Sequence, residues 1–233
     1  EGRPLAVSTP VISVWADPEL VGLSDSEIAG LAHELELDEE TLSLKLKDQS
    51  GRRFVYLKRG MVPNSRERLE PFVGRGVYLM EEYRRFYPSG EVFAQVVGFT
   101  DIDEQGQEGV ELSLDEILRG TSGSQLVVRD LKGRVVESAE VLQPASPGDN
   151  ITLTLDTRLQ YVAYRQLKEA VTSHGAASGS LVTMDVESGE ILAMVNQPAF
   201  NPNNRSDIEP NSVRNRVLTD LFEPGSTIKA FTL

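Results

Sequence analysis

No cysteine occurs among the 233 residues, which excludes disulfide staples and thiolate metal sites without selecting a compartment. There are two histidines, His33 and His174, far apart in the chain, so a transition-metal centre has no ligand set and no metal or cofactor is expected. Positive charge is scarce. Lys and Arg number 23 against 36 Asp and Glu, a formal net charge of −13, which argues against nucleic-acid binding or a polybasic membrane patch. Long apolar runs are also missing: the longest, Ile191 to Val195, falls far short of the roughly 20 residues that cross a bilayer. No basic-then-apolar leader opens the sequence.

What is present suffices for a core. Apolar residues make up 39% and charged residues 25%, compatible with one large domain or two ordinary ones. Thr9 to Trp15 alternates as a half-buried strand does, and Ser24 with Glu27 forms a capping box before Ile28, Leu31, Ala32 and Leu35 at helical spacing. A second helix is predicted over Glu39 to Lys47, and strands at Phe54 to Leu57 and Val77 to Met80. Val110, Leu114, Ile117 and Leu118 predict one helix ended by Gly120. Lys132-Gly133 predicts a hairpin between Leu126–Val128 and Val135–Val136.

The segment Gln143-Pro144-Ala145-Ser146-Pro147-Gly148-Asp149 stops both helices and strands, and divides the chain into residues 1–145 and 150–233. Beyond it, Ile151 to Leu155 alternates as a strand. Thr157 with Gln160 predicts a capping box for a helix that His174-Gly175 closes. Ser180 to Asp185 and Glu190 to Asn196 predict a hairpin turning at Val186 to Gly189. The fold class is α+β: an extended region of short strands and helices, then an antiparallel sheet with packed helices.

Only the last segment, Phe222-Glu223-Pro224-Gly225-Ser226-Thr227-Ile228-Lys229, reads as chemistry. Pro224-Gly225 makes a sharp entry that puts Ser226 in a first helical turn, where free backbone N–H groups favour an oxyanion. Lys229 follows one turn on, on the same face. A serine hydroxyl needs a base to become a nucleophile, and a lysine held neutral by burial or a second cation is one. Spacing alone is a weak signal, since an N-cap serine with a solvated lysine one turn later looks the same.

The context is more specific. Phe222 to Lys229 resembles the active-site segment of class B penicillin-binding proteins, the peptidoglycan transpeptidases. Gly179 to Asp185 with Ser188 to Met194 resembles the first hairpin of their transpeptidase domain, and Asn201-Pro202-Asn203-Asn204 the loop after it. Gly2 to Ala6 resembles the end of a juxtamembrane motif, and Arg84 to Pro88 and Gly106 to Glu111 resemble motifs of the non-catalytic pedestal. Phe-Glu-Pro-Gly-Ser and Asn-Pro-Asn-Asn point to the division-specific branch. The resemblance covers nearly the whole chain in the right order.

The resemblance implies a pedestal or dimerisation domain over residues 1–145 and the start of a penicillin-recognising domain, similar to serine transpeptidases and β-lactamases, over 150–233. It implies Ser226 as acyl-ester nucleophile and Lys229 as general base, with no cofactor. The substrate would be a stem pentapeptide ending in D-Ala-D-Ala, and β-lactam antibiotics would acylate the same serine. The protein would sit in the periplasm on a single-pass inner-membrane anchor, at the division septum. Its partners would be a membrane glycosyltransferase of the SEDS family and other division proteins.

The family's Ser-x-Asn and Lys-Thr-Gly motifs are missing: Ser206-Asp207-Ile208 lacks the amide, and no Lys-Thr-Gly occurs. The chain therefore reads as a fragment lacking the anchor and most of the transpeptidase domain, inactive by itself. The alternative is a non-enzymatic docking module for division partners. A β-lactamase or β-lactam sensor would share Ser-x-x-Lys without this pedestal.

Other residues read more plainly. His33 lies off the apolar stripe of its helix, and His174 is accounted for by a helix C-terminus. Glu39-Glu40 and Glu81-Glu82 read as surface charge, because sequence neighbours diverge in direction. Arg84 and Arg85 with Glu108 and Glu111 read equally as an ionic joint or as surface pairs. Trp15, Tyr78, Tyr83, Phe86 and Tyr87 read as packing.

Overall fold

Val7–Ala16 forms the first strand, β1, and the alternation that predicts it also sorts its two faces. In the computed structural model, which describes residues 2–47, 51–129, 135–204, 206 and 208–232, β1 is the middle of a three-stranded sheet. Its neighbours are β2 (Val55–Met61) and β3 (Val77–Phe86). β1 and β2 are antiparallel, with Trp15 opposite Tyr56 and Ala16 opposite Val55. Val14, Ala16, Val55, Leu57 and Val77 form one core with Leu31 and Leu35 around α1 (Asp25–Glu34), Leu42 of α2 (Glu39–Lys47) and Leu69 of α3 (Arg66–Leu69). Leu31, Leu35 and Leu42 are wholly inaccessible, and each such burial stabilises by about 1.5–3 kcal/mol.

The expected cap at Ser24 forms. Its N–H donates to the Glu27 carboxylate at 2.9 Å and its hydroxyl to the same group at 2.8 Å, which holds that carboxyl below its usual range. Trp15 stacks on Phe54 at 4.7 Å and on Tyr78 at 4.4 Å. Ser13, Tyr56 and Arg59 all donate to Glu82.

The chain forms two compact units. The elements above belong to Ser8–Arg85, which groups with Gly120–Gly148. There β6 (Ser124–Arg129) and β7 (Val135–Gln143) pair antiparallel, and the turn expected at Lys132-Gly133 lies outside the described residues.

The second unit comprises Glu1–Val7, Phe86–Arg119 and Asp149–Leu233. Its first part carries α4 (Ala94–Val97), β4 (Phe99–Thr100), β5 (Gly106–Glu108), α5 (Gly109–Ser113) and α6 (Asp115–Leu118). The single helix expected over Val110 to Leu118 is two, broken at Leu114 (φ −121°, ψ 25°). Asp115 causes the offset: its carboxylate accepts the Gly106 N–H at 2.8 Å and pairs with Arg119, which holds it below the usual carboxylate range. Gly98 and Gly109 let two backbones meet here. A Cβ on Gly98 would lie 1.7 Å from the Glu108 carbonyl oxygen, and one on Gly109 2.6 Å from the Gly98 nitrogen.

The second part carries the long α7 (Thr157–His174), packed through Ala163 and Tyr164 on the hairpin β8 (Gly179–Met184) and β9 (Ile191–Gln197), whose Ala193 and Val195 are buried. Two expectations are corrected. The stretch 151–155 alternates in burial but joins no ladder; it touches β9 through the Thr154 hydroxyl to the Ile191 carbonyl (2.7 Å), and Asp156 N–H donates to the Leu192 carbonyl (2.8 Å). Alternation reports which side chains are covered, whereas a ladder also needs a partner edge in register. The cap of α7 is Asp156 rather than Thr157, and its carboxylate accepts from Arg158 and Leu159 N–H at 2.8 and 2.9 Å. Gln160, freed from capping, is fully buried. Its amide donates to the Val92 and Met194 carbonyls (2.8 and 2.9 Å) and accepts the Met194 N–H (2.8 Å).

Candidate active site

Two short helices, α8 (Pro210–Val213) and α9 (Arg216–Thr219), lead from the hairpin to the serine segment, and α10 (Lys229–Thr232) follows Ser226. The exit of α9 is pinned by charge. Asp220 pairs with Arg214 and, at 3.0 Å, with Arg216, and it also accepts from the Thr219 hydroxyl. Desolvation raises the Asp220 carboxyl, but the hydrogen bonds from Arg216 and Thr219 and the two guanidinium charges outweigh it and leave it lowered.

The backbone then turns sharply. Pro224 (φ −69°, ψ −16°) precedes Gly225 at φ 55°, a left-handed value that a side chain rarely adopts. Gly225–Ile228 forms a 3₁₀ turn closed by Thr227 N–H to the Pro224 carbonyl at 3.1 Å, and the Lys229 N–H donates to the Ser226 carbonyl as α10 begins. In 3₁₀ geometry, with three residues per turn, positions i and i+3 eclipse, so 226 and 229 stack along one face. Ser226 and Lys229 are both solvent-exposed. Phe222 and Phe231, which flank them, are 81% and 85% exposed.

The remaining singled-out residues fall elsewhere. Ser206 donates to the Asn204 side-chain carbonyl at 2.8 Å. Asn203, in the Asn-Pro-Asn-Asn loop, donates to the Tyr87 carbonyl and accepts the Tyr87 N–H, both at 2.9 Å. Tyr87 itself is 2% exposed and its hydroxyl accepts the Thr100 N–H. Arg85 donates to the Ser8 hydroxyl at 3.1 Å, and Glu111 is buried in α5. His33 and His174 are exposed in the last turns of α1 and α7. Among the described residues no three His, Asp or Glu side chains gather where a metal ion could sit, and no helix is long and apolar enough to cross a membrane.

Comparison with known proteins places most of the chain in two family models. Residues 1–153 match the Penicillin-binding Protein dimerisation domain, and residues 179–233 the penicillin-binding protein transpeptidase domain. The chain belongs to the penicillin-binding proteins.

Among curated penicillin-binding relatives, it is 44% identical over 233 residues to peptidoglycan D,D-transpeptidase FtsI of Escherichia coli, covering 98% of this chain and 40% of that protein. It is 42% identical over 232 residues to the probable peptidoglycan D,D-transpeptidase PbpC of Pseudomonas aeruginosa, covering 100% of this chain and 41% of that protein. The chain thus spans about two fifths of the length of the relatives it matches. The crystal structure of penicillin-binding protein 2X from Streptococcus thermophilus shares the fold. Its TM-score is 0.69 at 23% identity, covering 100% of this chain and 38% of that one.

Several residues that organise this unit carry no functional signal in the sequence. Gln160 reads there as the capping partner of Thr157 and Asn196 as the end of a strand, and Asn215 is not singled out. What identifies them is the burial of Gln160 and Asn196 and the partners of all three from distant segments.

Proposed function

We propose that the full-length protein is a peptidoglycan D,D-transpeptidase that cross-links stem peptides through a serine acyl-enzyme. Residues 1–145 would form its dimerisation domain, or pedestal, and residues 150–233 would open its transpeptidase domain. The observation that supports this reading is the match of residues 179–233 to the transpeptidase domain, within which the 3₁₀ turn at Gly225–Ile228 spaces Ser226 and Lys229 one turn apart.

Ser226 Oγ would attack the carbonyl carbon between the two terminal D-alanines while its proton passes to Lys229 Nζ. The tetrahedral oxyanion would collapse with transfer of that proton to the departing D-alanine amine, leaving the peptide esterified to Ser226. An amino group on a neighbouring stem would then attack the ester and release the serine. The Ser226 backbone N–H would supply one oxyanion donor, as the turn's free N–H groups favour. A β-lactam presents the same carbonyl chemistry in a ring, so its opened form would stay attached as the ester.

The names of the relatives support the reaction class. The protein would act at the division septum from an inner-membrane anchor with this region in the periplasm, as the resemblance of Phe222 to Ser226 and Asn201 to Asn204 to the division-specific branch suggests. Partners would include a SEDS-family glycosyltransferase and other division proteins.

The test is covalent labelling of the protein, expressed to its natural end, with a fluorescent penicillin. Ser226→Ala abolishes labelling on this reading, and Lys229→Ala slows it by orders of magnitude. Labelling that survives Ser226→Ala rejects the serine assignment.

A further inference from the structure

The helix that leads into the Ser226 segment is not capped by its own N-cap residue. Asn215 occupies that position in α9, yet its side chain makes no capping bond. Instead Asn196, on β9 and only 1% exposed, reaches across: its Oδ1 accepts the Val217 N–H, the second residue of α9, at 2.9 Å. Asn215 turns its own amide outward to Asn196, whose Nδ2 donates to Asn215 Oδ1 at 2.9 Å. The Ser180 hydroxyl on β8 donates to the same Asn196 oxygen at 3.0 Å, so neither hydrogen-bonding end of the Asn196 amide is idle.

The other side of this exchange is also fixed. Asn215 Nδ2 lies 3.4 Å from the Gln95 carbonyl, and the buried Gln95 side chain donates to the Pro198 and Ser212 carbonyls at 3.0 Å each. A four-residue helix has almost no stability of its own, because nucleation costs more than so short a stretch returns. The direction of α9 is therefore set from outside at its start by the β9 amide, and a second, local anchor closes its end, where Asp220 pairs with Arg214 and Arg216 of the same segment. Five residues, 221–225, separate that second anchor from Ser226.

We infer that Asn196 and Asn215 are positioning residues for the acylation of Ser226: through the Asn196-to-Asn215 side-chain hydrogen bond and the Asn196 cap on Val217 they fix α9, and with it the origin of the turn that presents the nucleophile. This deepens the transpeptidase reading and rests on it. Their polar atoms bond backbone groups, each other, the Ser180 hydroxyl and the Met194 sulfur, so their effect falls on how often Ser226 sits in attack geometry, where displacements on the order of 1 Å cost up to about 100-fold in rate.

The test uses the protein expressed to its natural end and a fluorescent penicillin as probe, at a temperature well below unfolding. Both the second-order acylation rate constant and the final labelled fraction are read. Asn196→Ala and Asn215→Ala are expected to reach full labelling about 10- to 100-fold more slowly. Asn215→Asp keeps the acceptor for the Asn196 amide and is expected to recover the rate to within about threefold. A merely structural role predicts the opposite split: lower melting temperatures with the folded fraction labelled at the parental rate, and that outcome overturns the inference. If Asn196→Ala does not fold, the two Asn215 variants decide by the same criterion. A parent protein that is not labelled at Ser226 removes the transpeptidase reading itself, whereas a labelled parent with unchanged variant rates removes this inference alone.

Discussion

Asn203 and Tyr87 stand 116 positions apart, yet one side-chain amide satisfies both the N–H and the carbonyl of the other residue's backbone. Asparagine mimics a backbone amide, so the loop after the hairpin is stitched to the buried tyrosine as a second strand would be.

Removing that amide takes the acceptor from the Tyr87 N–H and one of two donors from its carbonyl, which still accepts the Gly90 N–H at 3.0 Å. Asn203→Ala is expected to destabilise the chain by about 1–3 kcal/mol in urea unfolding, and Asn203→Asp, which keeps the acceptor, by less. A midpoint within error of the parent for both variants would show that water replaces the pair.

Gln160 makes three hydrogen bonds from a fully buried side chain. Gln160→Ala removes all three and opens a void beside the Val92 and Met194 backbone, with an expected loss of about 3 kcal/mol or more. Gln160→Leu restores the volume without the bonds. If the loss comes from unmatched Val92 and Met194 groups rather than from the void, the two variants fall together in denaturant unfolding.

The cap of α7 titrates. The N–H of Leu159, then that of Arg158, hold the Asp156 carboxyl below its ordinary value of 3.8. A depressed carboxyl contributes stability that is complete above the ordinary value and disappears as pH falls through the folded one. Asp156→Asn caps equally well without titrating. The parent should therefore lose stability relative to Asp156→Asn as pH drops below about 4, and track it above about 5. Parallel melting curves from pH 2 to 7 would refute this.

Glu91, Tyr164 and Lys168 form a second titrating cluster. The Tyr164 hydroxyl, then Lys168 at 3.1 Å, lower the Glu91 carboxyl from 4.5, while Tyr164 and Glu91 raise the Lys168 amine from 10.5. The carboxyl's contribution is lost in acid and the amine's in strong base, so the pair is fully active between about pH 5 and 10. Both groups are substantially exposed, which limits the effect of Glu91→Gln to about 0.2–1 kcal/mol at pH 7. Comparing that variant's unfolding midpoints at pH 3, 7 and 9 checks the window: the difference should be the same at pH 7 and 9 and smaller at pH 3.

Local pattern carried the sequence reading where neighbours in the chain decide the structure. The β8–β9 hairpin, the end of α7 at Gly175, and the helices at 25–34 and 39–47 all follow from periodicity and turn chemistry. It erred where two local answers were equally good. Asp156 and Thr157 are both cap residues, and only the surroundings of Gln160 favour the first. It also erred where alternation stood for a ladder, at 151–155, and where the Asp115–Gly106 bond broke a helix that the apolar spacing left whole. The proposed serine and lysine rest on a contiguous motif, which is why the sequence alone suggests them. The amides at 95, 160, 196, 203 and 215 were not, because each is defined by a partner at least 19 positions away.

The grouping of Phe86–Arg119 with Asp149–Leu233 bears on how this protein can be cut. A shortened version ending at residue 145 would carry Tyr87, Phe93 and Val97 without Leu155, and the Val92 carbonyl without Gln160. It would meet solvent with an uncovered greasy surface and orphaned amides, so clumping of such a piece would report a misplaced cut rather than an intrinsically unstable module. A division that respects the packing keeps 86–119 attached to 149–233.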